Sequence, residues 1–83
     1  MIKVEYFLLD EGLYRITETN SGYTYVDSWY GFAISNLEAV KGMWNKVPGN
    51  RVFTYVRNKG NKLNIKEANE YMEKKLMIEH LKK

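Results

Sequence analysis

The side chains with the clearest chemistry in this chain cluster between Lys41 and Lys66. Those 26 residues, KGMWNKVPGNRVFTYVRNKGNKLNIK, hold seven Lys or Arg and no Asp or Glu. At their centre, Arg51-Val52-Phe53-Thr54-Tyr55-Val56-Arg57 alternates as a strand does, with Arg, Phe, Tyr and Arg at odd positions and Val, Thr and Val at even ones. A positive face carrying rings suits an anionic partner. Cations neutralise phosphates, and bases stack on aromatic side chains for ~1–3 kcal/mol each. The expected contacts to a nucleic acid or nucleotide-like ligand are Lys41, Lys46, Arg51, Arg57, Lys59 and Lys62, with stacking on Phe53 or Tyr55. The competing arrangement buries Phe53 and Tyr55 under a helix, turns Val52, Thr54 and Val56 outward, and leaves the arginines reaching to the rim.

A second cluster offers a different chemistry. Tyr23, Tyr25, Trp29, Tyr30 and Phe32 fall within ten residues, and alternation puts Tyr23, Tyr25 and Trp29 on one face. Tyr and Trp dominate protein–protein hot spots, so this face is the alternative site. It would serve a protein-binding inhibitor or accessory factor of the phage or mobile-element kind. Ten Lys, eight Asn and seven Tyr are what AT-rich codons deliver, which fits such a source.

Residues 51–58 also resemble the RNP1 segment of RNA-recognition motifs, in which basic and aromatic residues alternate along an exposed sheet face. They depart from it at Val52 and Thr54, where that motif has small residues, and at Asn58, where it has an aromatic. That fold also places a helix directly after its first strand. The family is not assigned on this segment alone.

Catalytic chemistry has little to work with. The single histidine, His80, stands beside Lys82 and Lys83 with no candidate partner, and Ser21, Ser28 and Ser35 have no nearby base. Asp27, between Tyr25 and Trp29, is the only acid in an aromatic setting, and one carboxylate does not make an acid–base pair. Without cysteine there is neither a disulfide framework nor a thiolate metal site. The expectation is a binding module rather than an enzyme, with no cofactor.

Eighty-three residues make one domain, spanning 1–83, that buries roughly 60–65% of its unfolded surface. Aromatic content of 14% compensates for so thin a core, because each ring buries about 150–250 Å². The longest apolar run, Tyr6–Leu9, is far short of the ~20 residues that span a bilayer. The opening MIKVEYFLLDEG lacks the basic and apolar regions of a secretory leader, so a cytoplasmic protein with no membrane partner is expected. Charge is uneven: residues 1–40 carry two basic and six acidic side chains, while residues 41–83 carry eleven basic and four acidic. The resulting −4 and +7 suit an anionic partner, or a homodimer joining the acidic half to the basic one.

The elements follow from periodicity and turn chemistry. Ile2–Leu9, Leu13–Thr19 and Tyr23–Ile34 read as an antiparallel meander, joined by Asp10-Glu11-Gly12 and Asn20-Ser21-Gly22. Apolar residues occupy both faces of the first strand towards its end, as in a strand covered on both sides. Ser35 and Glu38 fit a capping box, followed by a helical stripe of Leu37, Val40, Trp44 and Val47 that ends at Pro48-Gly49-Asn50. Arg51–Arg57 is the fourth strand and Lys62–Ile65 a short fifth, or else Asn64 and Glu67 cap the last helix, Lys66–Leu81, whose stripe is Ile65, Ala68, Met72 and Leu76. The expected architecture is an α+β fold, β-β-β-α-β-(β)-α, with two helices packed on one face of a small antiparallel sheet.

Overall fold

In the computed structural model, residues 2–30, 43–49 and 51–81 are described, with side chains as far as Lys75. Alternating apolar residues and short turns fold the first thirty residues into the expected meander. Strands β1 (Lys3–Leu9), β2 (Gly12–Glu18) and β3 (Thr24–Trp29) pair antiparallel in sequence order. Leu9 pairs with Gly12, so only Asp10 and Glu11 make the first turn. Asp10 and Glu11 both take positive φ, at +49° and +65°, and Gly12 opens β2.

Two consecutive left-handed residues are what a type I′ hairpin requires, because its twist matches that of the strands. A glutamate lacks the short side chain that lets Asn or Asp settle in that region, so Glu11 holds strain of about 1–2 kcal/mol. Glu11→Gly is therefore expected to stabilise the protein by ~0.5–1 kcal/mol, part of the relief being lost to the freer unfolded chain. The measurement is the urea midpoint at unchanged m-value, and a lowered midpoint would count against the strained turn.

The fourth strand is not where the spacing predicted it. β4 (Trp44–Val47) pairs with β3, setting Trp44 opposite Trp29, Lys46 opposite Asp27 and Val47 opposite Val26. Trp44 and Val47, assigned above to the end of a helix, stand on opposite faces of this strand. Both find cover, because the sheet is packed on two sides. The rest of that helix, with its Ser35 cap, lies outside the described residues.

Arg51–Arg57 in turn is not a strand: Val52–Lys59 is helix α1. Over seven residues the two periods are hard to separate, since Val52 and Val56 lie two apart in strand repeats and also at i, i+4. The sheet decides between them. Strand order is β4-β3-β2-β1-β5, with β5 (Asn61–Leu63) antiparallel to β1. β4 and β5 thus occupy opposite edges, four spacings or about 19 Å apart. The chain from Pro48 to Gly60 must cross the sheet, and an eight-residue helix of about 12 Å with extended ends does so. Gly60 permits the landing on β1, because a Cβ there would lie 2.7 Å from the Val56 carbonyl oxygen and 3.1 Å from Phe7 Cβ.

The last helix, α2 (Ile65–Leu81), begins at the reciprocal capping box. The Glu67 N–H donates to Asn64 Oδ1 at 2.8 Å and the Asn64 N–H to Glu67 Oε1 at 2.9 Å. A short strand and a capped helix therefore coexist where the sequence left them as alternatives. Ala68 and Met72 are buried as expected, whereas Ile65 is 62% exposed.

The α+β class, with an antiparallel sheet and two helices, is as expected. The placement of the helices is not. Leu13 and Trp29 pack with Ala68 and Met72 of α2, flanked by Tyr6, Trp44 and Leu63. Phe7, Ile16 and Val26 pack with Val56 of α1, flanked by Leu9, Tyr14, Val47 and Phe53. Strand alternation puts these two sets on opposite faces, so the two described helices cover opposite sides of the sheet. On the α2 face, Arg15 and Asp27 form an ion pair at 3.0 Å, and the Trp44 ring lies 4.3 Å from the guanidinium. That pairing accounts for Asp27 in its aromatic surroundings. The Tyr71 hydroxyl donates to the Glu11 carbonyl at 2.6 Å and ties α2 to the first turn. Burial, aided by the charge of Glu11, raises its pKa and keeps that donor protonated.

Candidate functional site

Refolding residues 52–59 as a helix redistributes the side chains that carried the anion-binding expectation. Residues 51, 55 and 59 are four apart, so Arg51, Tyr55 and Lys59 form one outward row along α1. Thr54 and Asn58 flank the row, all five residues are exposed, and Tyr55 is 56% exposed. Helix α1 contains no acidic residue. Among the described residues no carboxylate pairs with Arg51 or Lys59. Lys59 also stands in the last turn, where a cation complements the carbonyl end of the helix. The alternation of cation and ring survives, on a helix rather than a strand and with different members.

Phe53 leaves the set. It is half-buried against Ile16, Val26 and Val56, and the centre of its ring lies 5.7 Å from the Arg57 guanidinium. Arg57 points inward. Its guanidinium donates to Glu5 at 2.8 Å and to Glu18 at a still shorter distance, bridging β1 and β2. Lys62, on the edge strand β5, reaches the other Glu5 oxygen at 3.2 Å.

These bonds act on the protonation of the group. Burial pushes the Glu5 carboxyl up. Hydrogen bonds from Arg57 and Lys62, with the charges of Arg57 and Lys3, outweigh that and hold its pKa below the usual carboxylate range. The bond to Glu18, opposed by burial and aided by Glu5, raises Arg57 further. Two of the cations expected to meet a partner thus neutralise Glu5 and Glu18 internally. Nothing in the spacing of Glu5 and Glu18 announced this. Only the β1–β2 register, with Glu5 opposite Ile16 and Lys3 opposite Glu18, brings the two acids together under α1.

Lys46 lies elsewhere, at the β3–β4 edge. Its ammonium is 5.3 Å from the ring centres of both Tyr23 and Tyr25 and donates to the Tyr23 hydroxyl at 3.3 Å. The two rings are 5.9 Å apart. Sequence reasoning put Lys46 with the anion-binding residues and the tyrosines with a protein-binding face, and the fold makes them one cluster. Trp29 does not join them, because it is 6% exposed and packed under α2. Tyr23 is 55% exposed and Tyr25 half-buried. A pocket of about 220 Å³ opens beside the cluster, lined also by Val26, Val47, Pro48, Gly49 and Phe53. Lys41 lies outside the described residues.

No described helix is long and apolar enough to cross a membrane. Among the described residues, no group of three or more His, Asp or Glu is gathered as a metal site would need. In comparisons with protein-family models, with curated proteins and with solved structures, nothing matches this chain.

Proposed function

We propose that the protein is a small binding module, not an enzyme, that engages nucleic acid in the cytoplasm through the outer face of α1. The observation that carries this reading is the exposed, acid-free row Arg51-Tyr55-Lys59. Its cations make phosphate contacts, and the Tyr55 ring offers a stacking surface to an unpaired base. Thr54 and Asn58 add hydrogen-bonding groups on either side of the row. The helix is held to the sheet by Val52, Phe53 and Val56, so the row is presented on a rigid support.

Fluorescence anisotropy with short single-stranded and duplex DNA and RNA, over a salt series, tests the proposal. Affinity is expected to fall as salt rises. Replacing Arg51 and Lys59 together by Ala is expected to reduce the logarithmic salt slope by about two, one for each lost phosphate contact. Tyr55→Ala is expected to weaken single-stranded binding about tenfold and duplex binding far less. Absent binding at low salt, or binding indifferent to salt and to both cations, would overturn the reading.

A further inference from the structure

We infer that α1 is a strap that opens from the sheet as a unit, latched by Arg57, while the strands and α2 stay folded. The closed state dominates, because opening bares Phe7, Ile16 and Val26 to water.

The helix is weak in itself. It has eight residues, and helices shorter than about 12–15 residues are marginal without packing. Val52, Phe53, Thr54, Tyr55 and Val56 are β-branched or aromatic and lose rotamer freedom in a helix. Arg51 stands at the N-cap without a side-chain cap bond, and the first turn holds no acid to meet the helix dipole. The backbone bond from the Tyr55 N–H to the Arg51 carbonyl is long, at 3.3 Å. By contrast, α2 has 17 residues, a reciprocal capping box and Glu67 in its first turn.

Few side chains hold α1 down. Among the described residues its ion pairs to the sheet all run through Arg57, to Glu5 of β1 and Glu18 of β2. Its apolar hold is Val56, which is buried, with Val52 and Phe53 half-buried beside it.

The remainder of the fold has its own core. Leu13, Trp29, Ala68 and Met72 pack together on the other face, and Trp44 of β4 and Leu63 of β5 lie against them. Both strands that flank α1 are thus anchored by a cluster containing no residue of α1, and by their pairing with β3 and β1. Thirteen residues separate Val47 from Asn61. Extended, they reach roughly 43 Å, more than twice the distance of about 19 Å between the sheet edges. The strap can therefore lift without pulling on either strand.

Amide hydrogen exchange, resolved residue by residue by NMR at neutral pH, tests the inference. Amides of α1 are expected to exchange at least tenfold faster than the slowest amides of β2. Arg57→Met releases the latch and is expected to speed α1 exchange about thirtyfold. Leu13→Val lies on the other face of the sheet. It is expected to speed β2 exchange roughly fivefold and to leave α1 unchanged, because the strap opens without disturbing Leu13. Amides of α1 that exchange as slowly as those of β2, or that Leu13→Val speeds by the same factor, would overturn the strap. Unchanged α1 exchange in Arg57→Met would overturn the latch. The row Arg51-Tyr55-Lys59 exists only while α1 is closed, since residues four apart align on a helix. One further arm rests on the function proposed above: a saturating single-stranded oligonucleotide should slow α1 exchange. Exchange that the oligonucleotide leaves unaltered counts against that function and leaves the strap standing.

Discussion

Leu13→Ala and Ile16→Ala are each expected to lower the stability of the protein by about 3 kcal/mol, through lost apolar burial and the cavity left behind. Both side chains are essentially inaccessible, at 1% and 0% exposure. They lie on one strand three residues apart, and so on opposite faces of the sheet. Leu13 fills the space under α2 with Trp29, Ala68 and Met72, and Ile16 fills the space under α1 with Phe7, Val26 and Val56. With both helices on one side, one of the two residues would face solvent and its truncation would cost well under 1 kcal/mol. Chemical denaturation therefore reads the architecture directly, and a near-neutral result at either position would refute the two-sided sheet.

The pair also predicts how substitutions combine. Leu13→Ala and the milder Ile16→Val touch separate clusters, so their costs should add within about 0.5 kcal/mol. Ile16→Val and Val56→Ala share a cluster and should not. The milder change is needed because two large truncations would approach the whole stability of a small domain, about 5–15 kcal/mol.

Tyr6 to Leu9 is apolar at four consecutive positions, and the strand reading took this as cover on both sides. The meander was legible because each strand is bounded by turn residues and has the right length. The same rules failed from Trp44 to Lys59. Val52, Phe53, Thr54, Tyr55 and Val56 are β-branched or aromatic, and propensity alone makes them a strand. Tertiary demand outweighs that preference, because the apolar face bearing Phe7, Ile16 and Val26 needs a cover and the chain must cross from one sheet edge to the other. Trp44 and Val47 erred in the opposite direction. Their spacing of three fits a helix, and on a strand it places one residue on each face, which satisfies burial only where both faces are packed.

The candidate site was legible as composition and not as geometry. The acid-free stretch gathers the cations, yet no local rule distinguishes Arg51 and Lys59, which face outward, from Arg57, which faces the sheet. Helix phase makes that distinction, and phase was lost with the strand assignment. The union of Lys46 with Tyr23 and Tyr25 depended on a pairing, β3 with β4, that the helix reading of Trp44–Val47 excluded.

Arg57→Met is expected to cost about 2 kcal/mol at neutral pH and markedly less near pH 3. The thioether keeps much of the packing under α1, so the loss is electrostatic. It leaves Glu5, whose side chain is 11% exposed, with Lys62 alone, and releases Glu18, which at 37% is already partly solvated. Removing one partner from a fully buried pair costs about 3–5 kcal/mol, and screening at Glu18 and the partial exposure of Arg57 bring the figure down. The pH dependence follows from the direction of the Glu5 shift. Its pKa is lower in the folded chain than in the unfolded one, so its contribution is present above the unfolded value of about 4.3 and is lost as pH falls through the folded value. Without Arg57, burial is opposed only by Lys62 and Lys3, the folded pKa rises, and the variant loses less on acidification. The stability gap between the two proteins should therefore shrink from pH 7 to pH 3. A gap constant across that range would mean that Arg57 acts through packing and not through the Glu5 carboxylate. Glu5→Gln supplies the complementary check, because it removes the titrating group, keeps the shape and should flatten the same part of the acid limb.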